Sequence, residues 1–221
     1  MGQSQPVWDL PLRLFKWGFV LSIIGSVASG KADNMMLHER FALTACGLLL
    51  FRLIWGCVGS ETARFSHFVK SPLAVFPDIM DIVRRRKKTH FGHSALGGYA
   101  TLALLMVPLA IIATGLFSTD DVLFDGPLAH FQPDWIKQAT RLHHQLHPVL
   151  FGLIALHLIA ILTYWFRLRL NLTSAMITGS SRHASAAITL LSRRKQIFGI
   201  ALLVCCVALA HVLPELRPSY F

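Results

Sequence analysis

Charge is scarce in this chain. Asp, Glu, Lys and Arg make up 14% of its 221 residues, against about a quarter in soluble globular proteins, while 54% are hydrophobic and mean hydropathy is positive. That balance excludes an ordinary soluble domain. The only four cysteines, Cys46, Cys57, Cys205 and Cys206, all fall in apolar stretches with no CxxC or CxxCH spacing. This excludes a dithiol redox motif, a paired-cysteine zinc site and covalent haem attachment, and reads the thiols as buried apolar groups. Internal repeats and low-complexity tracts are lacking, and no polar stretch is long enough for a separate catalytic domain. Residues 1–221 therefore read as a single membrane domain. No cleavable signal peptide is read either, because Asp9, Arg13 and Lys16 precede the first apolar run, which is expected to stay as an anchor.

What is present is apolar length. Five segments, at about 11–29, 41–58, 95–117, 146–165 and 197–213, each approach the roughly 20 residues that cross about 30 Å of hydrocarbon. Gly18, Ser22, Gly25 and Ser26 in the first suit close helix approach in lipid. The net charge of +10 could suggest nucleic acid. Its distribution says otherwise, since the basic residues concentrate in two connections. Arg64, Lys70, Arg84, Arg85, Arg86, Lys87 and Lys88 lie between segments two and three; Arg167, Arg169, Arg182, Arg193, Arg194 and Lys195 lie between four and five. The positive-inside rule makes both cytoplasmic, with the N-terminus inside and the C-terminus outside. The 118–141 connection carries Asp120, Asp121, Asp125 and Asp134 and is expected to face outward. The Arg84–Lys88 run reads as a topogenic flank, with a lipid-headgroup or protein dock as the alternative.

Ionisable residues at membrane depth are costly and face a cavity, a partner or a cofactor. His143 and His157 lie 14 residues apart. Along a helix that interval is about 21 Å, and it returns a side chain to within about 40° of the same face. One helix could thus ligate two stacked cofactors. His38 opens the second segment at the same outer side as His143, so their imidazoles can meet across a planar macrocycle, and six-coordinate iron suits electron transfer. His93 opens the third segment on the inner side. His144 and His147 fit the shared face less well and read as interfacial, while His67, His90, His183 and His211 read as non-ligands.

The chain resembles the bacterial cytochrome b561 family, including the cytochrome b subunits of nickel-iron hydrogenases. The matching stretches are Val7-Trp8-Asp9 and Arg13-Leu14-Phe15-Lys16-Trp17 in the first helix, and His38, Gly47 and Arg52-Leu53-Ile54-Trp55-Gly56 in the second. Gly92-His93-Ser94-Ala95-Leu96-Gly97 at the third and His143 with His157 in the fourth complete them. The resemblance implies an all-α membrane protein in which a four-helix bundle, about 7–165, holds two non-covalent b haems. A basic cytoplasmic loop, about 166–196, and an extra C-terminal helix, about 197–213, follow. The implied outer ligands are His38 and His143. The inner haem would use His157 and a histidine before the first-helix tryptophan, where this sequence has Lys16.

Three roles are open to Lys16. A deprotonated amine can bind iron, His93 can take the axial position instead, or Lys16 can act as a snorkelling charge or propionate partner beside a five-coordinate or absent haem. Arg52 can snorkel or pair bidentately with a haem propionate. Trp17 and Trp55 can anchor the interface or pack against the inner macrocycle. The expected function is electron transfer in the bacterial inner membrane between the quinone pool and a periplasmic c-type cytochrome or redox enzyme subunit, with membrane lipid but no nucleic acid as partner. A superoxide:quinone oxidoreductase and a non-redox scaffold or transporter are the alternatives.

Overall fold

The structure is a computed structural model, and it describes residues 5–86, 92–120, 124–181 and 191–218. Lys87, Lys88, His90, Asp121, Arg182 and His183 lie outside the described residues. Among the described residues eight α-helices follow in chain order: α1 (Leu10–Lys31), α2 (Met35–Val58), α3 (Phe65–Phe68), α4 (Val75–Val83), α5 (Ala95–Gly115), α6 (Ile136–Leu168), α7 (Leu172–Thr178) and α8 (Arg193–Ala210). Two dipeptide strands, β1 (Gln5–Pro6) and β2 (Ser180–Ser181), pair antiparallel. Five of the helices, α1, α2, α5, α6 and α8, are long and apolar enough to cross a membrane. The architecture is an all-α membrane bundle.

Two of these helices begin well before the apolar segments suggested. The second segment was expected from 41, yet α2 starts at Met35, where the Asn34 side chain accepts the Leu37 amide at 3.0 Å and caps the first turn. The fourth was expected from 146, and α6 starts at Ile136. Its first ten residues are mostly polar or histidine, so hydropathy alone could not extend it. At 33 residues α6 is about 50 Å long, more than a bilayer core requires.

The chain divides into two compact units. One comprises Met1–Phe15, Arg52–Ala103 and Leu153–Ala201. Its N-terminal segment is held at both flanks: Val7 and Trp8 donate backbone N–H groups to the Gly179 carbonyl at 2.8 and 3.0 Å, and Thr62 Oγ1 donates to the Val7 carbonyl at 2.7 Å. Gly179 has φ +84°, a left-handed turn that ends α7. Asp9 caps α1 by accepting the Leu12 amide at 2.7 Å; its carboxylate also accepts from Trp55 Nε1 and from the Ser60 hydroxyl. A buried carboxylate survives here because it has several donors.

The other unit comprises Lys16–Phe51, Leu104–Gly152 and Leu202–Phe221. Small residues set its helix spacing. Gly25 faces the Phe41 ring, and Gly47 lies against the backbone of α8, where an added Cβ would fall 2.4 Å from Val207 Cα and 2.6 Å from the Cys206 carbonyl oxygen. Backbone cannot yield as a side chain can. Gly47→Ala is therefore expected to destabilise the protein by about 1–3 kcal/mol, read as a lower thermal midpoint of the detergent-solubilised chain. An unchanged midpoint would mean that α8 does not pack on α2. Beyond Gly47, Thr44 Oγ1 meets His211 Nε2 at 3.0 Å, and Arg217 pairs with Glu39.

Candidate functional site

His38 and His143 come together in the second unit with ring centroids 6.2 Å apart and planes at 85°. Two imidazoles bound to one metal ion through facing nitrogens, each at about 2 Å, stand roughly 6 Å centroid to centroid. The spacing fits a shared six-coordinate iron. Each ring is also tied through Nδ1, His38 to the Ser26 carbonyl at 2.8 Å and His143 to the Ile111 carbonyl at 2.9 Å. A carbonyl can only accept, so Nδ1 carries the proton and Nε2 keeps its lone pair for a metal.

Both tethers share a local device. Ser26 and Ile111 each lie four residues before a glycine, Gly30 and Gly115, the position one helical turn above the accepting carbonyl. An added Cβ at Gly30 would come within 2.9 Å of His38 Nδ1, and one at Gly115 within 2.9 Å of His143 Cε1. The missing side chain leaves the flank of each carbonyl open to an imidazole. Ser26 adds its hydroxyl, 3.2 Å from His38 Nδ1. Sequence reading missed these four anchoring residues, because the sequence spacing from Gly30 to His38 is unrelated to that from Gly115 to His143. Only the repeated Gly and Ser of the first helix hinted at them.

His144 and His147, read from sequence as interfacial, join this cluster. The His147 ring is 4.7 Å from His143, and His144 is 5.8 Å from His143. His147 is half-buried and His144 exposed.

The remaining candidates are distributed over both units. Lys16 is half-buried and Trp17 is 43% exposed on α1 in the second unit, while His157 is exposed on α6 in the first. His93 packs between Trp8 and Phe68, each 4.8 Å away by ring centroid. Trp55 is not an interfacial anchor: it is 2% exposed and donates its indole N–H to Asp9. Arg52 does not snorkel. It is 1% exposed, with its guanidinium 4.6 Å from the Phe65 ring centre and 5.7 Å from that of Phe68. Its Nη1 has no hydrogen-bond acceptor among the described residues, a donor placed for an acidic group from elsewhere.

A family model described as prokaryotic cytochrome b561 matches residues 7–179, well over half of the chain. The chain belongs to that family. No curated protein and no solved structure gives a significant match. Membership makes the chain a transmembrane b-type cytochrome of electron transfer, and the His38–His143 pair suits the b-type haem that the family implies. The haem supplies reversible one-electron chemistry, and the chain supplies ligands, orientation and an apolar surround. His38 and His143 would hold the iron through Nε2, with Ser26 and Ile111 fixing the tautomer and the ring planes.

Proposed function

We propose that this cytochrome carries electrons across the bacterial inner membrane between the quinone pool and a redox partner, using two b haems. The observation that carries the reading is the His38–His143 pair at 6.2 Å with both Nδ1 atoms tied to helix carbonyls. That pair is assigned to the periplasmic side because the acidic residues Asp120, Asp121, Asp125 and Asp134 lie in the sequence between α5 and α6. The basic connections face the cytoplasm, placing the N-terminus inside and the C-terminus outside. For a second haem the sequence pattern offers His157 and Lys16 as ligands, with His93 as the competing one. Arg52, with its unsatisfied Nη1, is the propionate partner of that haem. On the periplasmic side a c-type cytochrome or a redox enzyme subunit exchanges electrons with the first haem.

The test is haem stoichiometry by pyridine haemochrome together with low-temperature electron paramagnetic resonance on the purified chain. Two b haems per chain, one bis-imidazole and one with a non-imidazole ligand, are expected. A chain purified without haem would return it to the non-redox scaffold class, and one haem per chain would remove the Lys16–His157 site.

A further inference from the structure

The short helix α4 has its amphipathic pattern turned inside out. Phe76, Ile79 and Val83, spaced three and four residues apart, share one face and are 67, 43 and 58% exposed, and Leu73 just before them is 83% exposed. Asp78, on the opposite face, is 5% exposed and accepts the Leu96 amide at 3.1 Å through Oδ2. In water this arrangement would be reversed. A helix that keeps its two carboxylates, Asp78 and the half-buried Asp81, off the exposed side and presents phenylalanine, isoleucine and valine there suits a position with that face in the acyl boundary of a bilayer. Arg84, Arg85 and Arg86, all exposed, follow at once.

A second surface meets the end of this helix. Along α6, Ile159, Leu162, Thr163 and Phe166 line a shallow apolar groove that finishes at Arg167, and Phe166 is 75% exposed. Arg167 Nη2 donates to the Val83 carbonyl at 3.0 Å, which sets its guanidinium beside the first of the three arginines. A topogenic flank needs only the number of positive charges. It requires neither a guanidinium fixed against a helix end nor an apolar groove that leads to it.

We propose that this surface is a binding site for an anionic glycerophospholipid of the surrounding leaflet. One acyl chain lies along Ile159, Leu162 and Phe166, and the headgroup phosphate is held by Arg167 together with the Arg84–Arg86 run. Charge complementarity selects the anionic headgroup, because Arg167 is tied to the end of α4 from which Arg84, Arg85 and Arg86 follow, and these four cations outnumber the half-buried Asp81 while Asp78 is turned away. The site uses no haem ligand, so it stands or falls independently of the proposed electron path.

Native mass spectrometry of the full chain in detergent tests it, titrating phosphatidylglycerol and phosphatidylcholine of identical acyl chains. Wild type is expected to retain phosphatidylglycerol preferentially. Arg167→Gln should weaken that retention about fivefold, and the Arg84→Gln/Arg85→Gln/Arg86→Gln variant more strongly, at roughly fivefold per arginine near a membrane surface. Phosphatidylcholine retention should not change, and haem content reports that each variant is folded. Equal retention of the two lipids by wild type, or phosphatidylglycerol retention unaffected in both variants, would overturn the proposal. So would stoichiometric displacement of phosphatidylglycerol by ubiquinone, which would make the groove a quinone-tail site.

Discussion

His38→Ala is expected to remove one low-spin haem from the chain and leave the other. The imidazole of His38 is one of two that stand at the separation a shared iron requires, and no other histidine precedes it on α1 or α2. Haem content should fall from two per chain toward one, with loss of the bis-imidazole resonance. His143→Ala is a less clean experiment, since His147 lies 4.7 Å from the His143 ring and can offer a replacement nitrogen. Gly115→Ala provides the graded version. A methyl group there would meet the His143 ring at 2.9 Å and disturb its bond to Ile111, and lost outer-shell support costs about 10–100-fold in metal affinity. Reduced haem retention under dilution would measure it. Full retention of two haems in both His38→Ala and Gly115→Ala would sink the pair as ligands.

The second large effect is at Lys16. An amine differs from imidazole in the electrons it gives to iron. Lys16→His is expected to convert one haem to a bis-imidazole spectrum and to shift its midpoint on the order of 0.1 V, within the span of about 0.8 V that axial ligands command. Lys16→Ala should turn the same haem high-spin. An unaltered low-spin spectrum in Lys16→Ala would eliminate the amine as ligand and leave His93 to be tested by the same substitution.

The sequence disclosed those features that depend on composition along one helix. The five crossings were legible because apolar length is a one-dimensional property. The partnership of His38 with His143 was legible because both stood near the same ends of helices running in one direction. The polar opening of α6 was not, since Gln138, Thr140 and Arg141 carry no membrane signal although they are helical. Between the two roles open to Arg52 the sequence could not choose, because its burial depends on Phe65 and Phe68, which come from the connection after α2. The glycine-flanked carbonyls at Ser26 and Ile111 were invisible for a similar reason: each acts on a histidine of a different helix. The membrane-facing side of α4 was hidden by the charged connection in which it sits.

The twin tethers also bear on speed. If a haem were held between His38 and His143, ligands free to swivel would add to the barrier for electron transfer. Imidazoles pinned through Nδ1 to main-chain oxygens have little room to do so. The pair would therefore offer a bound haem a preorganised site that needs little rearrangement when charge moves.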